Sequence, residues 1–325
     1  MSVERHHFVP KIYFREFTKD LEGFFFRATP KPYRKESILH KHINNVGYLG
    51  NFYTLKDLDS FSELNTNDPN YIEKNAFKYE NTLVEILAPF KNRETLVDAT
   101  RVGLFIEVIL SIKHRNPFFR ESFVKEYNNK ETMAQTLTKQ SQSLKEVLLR
   151  ETNWPETQID NSIQRTIASI INDVNLPDVS YKKMILENSK EQGTPLSEVK
   201  ERLMEMRILV YEPRDPNSYF ITSDNPGFTL VGDRVYNTEY GKFDAVGFPI
   251  NSKQVVLFIN TPREMLHERR TVSYSLVTNE QVDLVNSCTI FNSYESIFCE
   301  DRLYLEGIID RFTMAVADKL ITSKP

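Results

Sequence analysis

Arg207-Ile208-Leu209-Val210-Tyr211 is the stretch at which the chain changes its hydrophobic rhythm. Downstream of it, Tyr219 to Thr222, Phe228 to Leu230, Arg234 to Tyr236, Phe248 to Ile250, Val255 to Ile259, Val272 to Leu276 and Ser296 to Cys299 are short β-branched or aromatic runs separated by Gly, Pro, Asn and Asp. Runs of that length and punctuation predict strands joined by turns. Gln281 to Ser293 and Arg302 to Phe312 interrupt the series with helix-like apolar spacing and are expected to pack back on the sheet.

Upstream of Arg207 the apolar residues recur at three- and four-residue steps instead. Pro69 to Phe90, behind the capping Asp68, carries Ile72, Ala76, Tyr79, Leu83, Ile86 and Phe90 and predicts one long helix. Val97 to Arg115 is so nearly continuous in apolar residues that it is expected to run through the core. Phe118 to Tyr127, Thr132 to Arg150, Glu156 to Asn172, Val179 to Asn188 and Leu196 to Met206 read as further helices, punctuated by Asn153-Trp154-Pro155, Asn175-Leu176-Pro177 and Gly193-Thr194-Pro195. Helices followed by a run of strands imply an α+β fold rather than alternating β-α-β units. The expected layout is a helical lobe over residues 69–206 and a mainly antiparallel sheet lobe over 207–325. An N-terminal segment, 1–68, docks across both, and the whole of 1–325 forms a single unit.

Composition narrows the function classes. A formal charge of -4 argues against a surface of uniformly positive potential, but leaves room for a local basic groove. Only 10 glycines are spread over 325 residues, and neither Gly-x-Gly-x-x-Gly nor Gly-x-x-x-x-Gly-Lys-Ser/Thr is present, so the common phosphate-cradling loops are absent. Cys288 and Cys299 are spaced unlike a redox or zinc motif and fit buried thiols in a reducing compartment. Val102 to Ile112 is too short, and too interrupted by Glu107, to span a bilayer. A cytoplasmic protein with no membrane partner is the expectation, its oligomeric state left open.

The densest chemistry lies at the start. Arg5-His6-His7-Phe8-Val9-Pro10-Lys11-Ile12-Tyr13-Phe14-Arg15-Glu16-Phe17 holds two of the six histidines, so any imidazole site is sought there first. Adjacent side chains diverge on a helix and point to opposite faces of a strand, so at most one of His6 and His7 faces a given site. Pro10 suits the first helical position, and the residue before it is extended. Alternation back from Val9 then turns His7 inward with Val9 and His6 outward. Two readings stand side by side: an aromatic anchor whose imidazoles bond backbone carbonyls, or a site built on His7.

The run His-His-Phe-Val-Pro-x-x-Tyr-Phe-x-x-Phe resembles the opening of an uncharacterised prokaryotic family known as domain of unknown function 4238. Gly50-Asn51-Phe52-Tyr53, Ile72-Glu73-Lys74 with Glu80, Arg115-Asn116-Pro117, Ile221-Thr222-Ser223-Asp224-Asn225-Pro226 and Phe248-Pro249 resemble the same family. The opening and the Thr-Ser-Asp-Asn-Pro box are specific. Residues 121–200 carry no landmark and read as a helical insertion. The resemblance implies a family and not a mechanism. Proteins of this type resemble accessory components of defence or toxin loci, which implies a nucleic acid or nucleotide as partner.

Taken together, the candidate catalytic residues are His7, His6, Glu80, Arg115 and Asp224, and the candidate substrate-binding residues are Tyr53, Asn51, Glu73, Ser223 and Asn225. Glu73 and Glu80 lie two turns apart on one flank of the expected helix, about 10 Å along its axis. They either line a groove or form a solvated acidic flank. Glu107, Ser111 and Arg115 make one polar stripe on an apolar helix, which serves as an ion-pair rail or presents the Arg115 fork to a carboxylate or phosphate. Asp224, at a strand end, suits a general base or metal ligand, yet Ser-Asp-Asn-Pro is also good turn chemistry. His40 and His42 share a face if extended, a spacing compatible with a metal, although no Cys or carboxylate stands near them in sequence. No metalloprotease, deaminase or serine-hydrolase motif is present. The set fits a hydrolase of a phosphodiester or nucleotide, with a divalent metal compatible but unassigned. The alternative is a non-catalytic ligand- or protein-binding module in which the same residues are structural.

Overall fold

The computed structural model describes residues 4–19, 23–77, 80–188, 195–232, 234–236, 243–260 and 269–322. The N-terminal part contains β1 (Arg5–His7), α1 (Lys11–Arg15), β2 (Phe24–Ala28), β3 (Leu39–His42) and β4 (Tyr48–Gly50). A largely helical part follows: α2 (Tyr71–Asn75), α3 (Leu83–Lys91), β5 (Leu96–Asp98), α4 (Ala99–His114), α5 (Pro117–Tyr127), α6 (Lys130–Glu151), α7 (Glu156–Asn172), α8 (Leu176–Asn188) and α9 (Pro195–Met204). The strand-rich part holds β6 (Arg207–Pro213), β7 (Thr222–Ser223), β8 (Phe228–Val231), β9 (Arg234–Tyr236), β10 (Ala245–Asn251), β11 (Gln254–Ile259) and β12 (Arg269–Val277), then α10 (Asn279–Asn292), β13 (Ile297–Cys299) and α11 (Arg302–Thr322).

Among the described residues the strands form a seven-stranded sheet in the order β5-β12-β6-β11-β10-β8-β9, a four-stranded sheet β3-β2-β13-β7, and a ribbon β1-β4. Pairing is antiparallel except between β12 and β6, where Val272 lies opposite Ile208 and Val277 opposite Pro213. The α+β architecture expected from the change of rhythm at Arg207 is present.

Local chemistry explains the element ends. Asp98 accepts hydrogen bonds from the N–H groups of Thr100 and Arg101 and so starts α4, which buries Val102, Phe105, Ile106, Ile109 and Ile112. Asn116 then caps α5 by accepting from Phe118 N–H, with Pro117 at the first helical position where no N–H is needed. Thr278 and Gln281 make a reciprocal capping box at the start of α10.

One expected element differs. The single helix over Pro69 to Phe90 is two, because Phe77 leaves the helical path to pack on Tyr53, with ring centroids 5.1 Å apart, and beneath the Arg115 guanidinium. Asn51 to Tyr53 forms a turn directly after β4, with Asn51 at a left-handed φ of 54°.

One core joins all three parts of the sequence. Phe14, Phe25 and Phe298 meet with centroids 4.8–5.6 Å apart, and Tyr13 packs on Phe248, which in turn meets Phe105 of α4. The buried Tyr13 hydroxyl donates to the Pro249 carbonyl at 2.9 Å and bonds the Thr222 hydroxyl at 2.8 Å. The opening helix is thus fastened to both sheets. By contrast α6 buries no residue; it pairs with α7 through Lys145, which contacts Glu156 and Asp160.

Candidate functional site

The site region begins with the pairing of β1 and β4, which sets His6 opposite Leu49 and His7 opposite Tyr48. Gly47 holds this ribbon in place: its carbonyl accepts from Phe8 N–H at 2.9 Å and from Val9 N–H. That double acceptance bends the chain at Phe8–Val9 and breaks the strict alternation expected there. His6, expected outward, is the more deeply buried histidine, 1% exposed, while His7 is half-buried.

The two imidazoles are held in different states. His6 accepts the backbone N–H of Tyr53 on Nδ1 at 2.8 Å, so in the neutral ring the proton sits on Nε2, 3.8 Å from the Glu4 carboxylate. Burial lowers its pKa. His7 Nε2 is buried without a hydrogen-bond partner among the described residues. Burial, then the charges of Lys11, Arg115 and Arg5, push the His7 pKa down to about 4. His7 is neutral at physiological pH and its charged surroundings are cationic.

Arg115 closes the helical side. It is 1% exposed at the end of α4, its guanidinium lies 4.3 Å from the centroid of the Phe77 ring, and its carbonyl accepts the Tyr53 hydroxyl at 2.8 Å. Tyr53 therefore ties His6 to Arg115 through its two ends. Asn51 closes the ribbon, exchanging hydrogen bonds with the Glu4 backbone through its own N–H and its side-chain oxygen. Glu73 is half-buried on α2. Glu80 opens a short 3-10 turn before α3, and its side chain lies outside the described residues.

The Thr-Ser-Asp-Asn-Pro box forms a second cluster. Asp224 accepts from Tyr294, Glu295 and Ser296 N–H groups at 2.8–2.9 Å, and its carbonyl accepts from the Asn116 side chain. Burial nevertheless pushes its pKa up to about 6, outweighing the three N–H donors. Ser223 Oγ accepts the Asn225 N–H, and Asn225 donates to the Asn292 carbonyl while accepting from Lys113 Nζ at 2.9 Å. Lys113 also donates to the Gly227 carbonyl, and burial holds its pKa well below the usual lysine value.

The expected residues thus fall into two groups. His6, His7, Asn51, Tyr53 and Arg115 come together around the ribbon, whereas Ser223, Asp224 and Asn225 lock the end of α10 to the sheet. The cations acting on Asp224 include Arg27 and Lys31, from the four-stranded sheet and the turn after it. The end of α4 links the groups, because Lys113, His114, Arg115 and Asn116 are all buried. Lys113 escaped the sequence reading, although four polar residues closing an apolar helix just before Pro117 were a legible signal. Tyr48 was missed because its nearness to His7 depends on strand register, whereas Arg5 and Lys11 stood in the opening stretch without being singled out. Glu107 is an ion-pair residue, bonded to Lys200 of α9. His40 and His42 share the β3 face expected, but their rings pack on Phe24 with centroids 4.9 Å away, and His42 Nδ1 accepts the Asn44 N–H. No group of three or more His, Cys, Asp or Glu able to hold a metal occurs among the described residues. Nor, among them, is any helix long and apolar enough to cross a membrane.

A family model described as "Protein of unknown function (DUF4238)" matches residues 5–302, from the first residue of β1 to the first of α11. The chain belongs to DUF4238. No curated protein and no solved structure matches it. Both clusters lie within the region that the DUF4238 model covers.

Proposed function

We propose that this DUF4238 chain is a hydrolase acting on a phosphodiester or nucleotide, in a prokaryotic defence or toxin-like setting, with the ribbon cluster as its site. One observation carries the reading: a neutral His7 imidazole whose Nε2 has no hydrogen-bond partner among the described residues and whose electrostatic neighbours are Lys11, Arg115 and Arg5. Cations clustered in a partly water-excluded site stabilise an oxyanion more than they would in bulk water. An arginine held rigid over an aromatic ring presents a planar donor suited to phosphate oxygens. Tyr53, His6 and Asn51 support that geometry. Nucleic acid or nucleotide is the proposed partner, and cytoplasm the proposed compartment.

The test is turnover of bis-p-nitrophenyl phosphate and of single-stranded RNA and DNA, with and without Mg²⁺ or Mn²⁺. Turnover by the wild type and a loss of at least about 100-fold in His7→Ala, with the unfolding midpoint retained, is the expected result for a group acting on the reacting centre. No turnover on any of these, or equal turnover by His7→Ala, overturns it.

A second reading, a non-catalytic ligand- or protein-binding module, is favoured by the box: Ser223, Asp224 and Asn225 spend their side chains on backbone groups and on Lys113. It predicts stoichiometric binding of a nucleotide, weakened by Arg115→Lys, without product.

A further inference from the structure

Deepening the hydrolase reading and resting on its ribbon site, we propose that the nucleic acid taken there is a single strand, one unpaired base of which stacks on Tyr48 beside Arg5. The pairing of β1 with β4 sets Arg5 opposite Gly50 and His7 opposite Tyr48. Residues two apart on a strand share a face with their cross-strand partners, so Arg5, His7 and Tyr48 stand together on one side of the ribbon. Gly50 adds no side chain there, which lets Arg5 lean diagonally across: its guanidinium carbon lies 4.7 Å from the Tyr48 ring centroid. The His7 ring meets the same tyrosine at 5.5 Å between centroids, tilted by 50°. Arg5 is exposed and Tyr48 half-buried, so this layered pair is reached from solvent.

The pair is held in place before any ligand arrives. Arg5 Nη1 donates to the Asn45 side-chain oxygen at 3.3 Å, and the Gly47 carbonyl fixes the end of the ribbon through the N–H groups of Phe8 and Val9. The charge on this face is uncompensated. Neither Arg5 nor Lys11, the exposed first residue of α1, bonds a carboxylate among the described residues, whereas Lys74, Lys91 and Arg120 each do. Glu4 belongs to the opposite face, 3.8 Å from His6 Nε2.

Aromatic rings and guanidinium planes are the surfaces on which unpaired bases stack, and cations without counter-ions attract the phosphates that join those bases. A duplex hides its base faces within its own stack and offers the ribbon only phosphates. A mononucleotide finds neither of the common glycine-rich loops that cradle its phosphates, because both are absent from the chain. A single strand matches both halves of the surface. With its base on Tyr48, it brings the adjoining phosphate to the side of the ribbon on which His7 stands.

Fluorescence anisotropy of the full chain in EDTA tests this, with a fluorescein-labelled RNA or DNA strand of about 12 nucleotides, the same strand annealed to its complement, and inorganic polyphosphate as competitor. The wild type should bind the single strand at least about 10-fold more tightly than the duplex, with polyphosphate a weak competitor. Tyr48→Leu, which keeps an apolar side chain at the half-buried position, should weaken single-strand binding about 5- to 150-fold, the loss of one stacked base, while Tyr48→Phe stays within about 2-fold of wild type. A strand carrying iodouracil should photocrosslink to the peptide containing Tyr48, a readout that needs no variant. Single-strand preference with that crosslink supports the proposal. No binding, equal affinity for strand, duplex and polyphosphate, or a folded Tyr48→Leu that binds like the wild type overturns it; turnover of bis-p-nitrophenyl phosphate that is lost in His7→Ala then leaves the hydrolase reading standing. Stacking on Tyr48 with no turnover of any substrate supports the single-strand site and overturns the hydrolase reading instead.

Discussion

The Tyr53 backbone N–H is donated to Nδ1 of His6 over 2.8 Å, and the two rings lie 7° from parallel with centroids 5.8 Å apart. This pair makes His6 a structural residue and separates its fate on mutation from that of its neighbour. His6→Ala removes the imidazole acceptor of the Tyr53 N–H and opens a cavity, a cost of about 2–4 kcal/mol. His7→Ala removes a half-buried ring whose Nε2 bonds nothing among the described residues, at a cost below about 1 kcal/mol. Urea unfolding of both variants checks the ordering. Equal losses would mean that His7 is a structural peg as well.

Asp224→Asn should lower stability by about 1–3 kcal/mol at pH 7, because the amide offers one acceptor oxygen where three N–H groups now converge, and turns its own NH₂ toward a donor. Chemical denaturation gives the number. A variant of unchanged stability but lost turnover would return Asp224 to the reacting centre.

Acid should destabilise the fold through His114. Burial lowers its pKa from 6.5 to about 4 in the folded chain, so between those values the unfolded chain binds the extra proton. Stability contributed by neutral His114 is full above pH 6.5 and is lost as pH falls through about 4, a change of about 3 kcal/mol. Asp224 acts in the opposite sense. Its folded pKa of about 6 lies above the unfolded 3.8, so its protonation favours the native state as pH falls from 6 toward 3.8. Between pH 7 and pH 4 the unfolding midpoint should decline more, or rise less, in the wild type than in His114→Gln. A slope unchanged by that substitution rejects the assignment.

Gly47→Ala should destabilise by several kcal/mol. Its φ is +64°, and an added Cβ would stand 2.5 Å from Cε2 of the Phe14 ring, inside the core. Because the Gly47 carbonyl holds Phe8 and Val9, the same change should also displace β1. Thermal melting reports the first effect and loss of nucleotide binding or turnover the second. A melt within about 1 °C of wild type would contradict the packing described.

Periodicity and punctuation carried the architecture. The switch from three- and four-residue apolar steps to short β-rich runs at Arg207, and caps such as Asn116-Pro117, are encoded by residues close in the chain, so the helices and most strands were legible. Helix α7 falls on the expected Glu156 to Asn172, and β9 on Arg234 to Tyr236. The break at Phe77 was not, because the ring departs from a good helical pattern for partners far away in sequence, Tyr53 and Arg115.

The site divides along the same line. The sequence alone determined which residue types were at hand, adjacent histidines before a proline and polar residues closing an apolar helix, because chemistry and local spacing are properties of the chain itself. Only the tertiary structure decided which histidine is buried, which nitrogen keeps its lone pair, and that Asp224 serves the backbone. Each of those outcomes is set by one hydrogen bond or bend: the Tyr53 N–H on His6, the Gly47 carbonyl under Phe8 and Val9, and the N–H groups of residues 294–296 on Asp224. These partners are roughly 40 to 70 residues apart in sequence, beyond the reach of any local pattern, and only packing brings them to hydrogen-bonding distance.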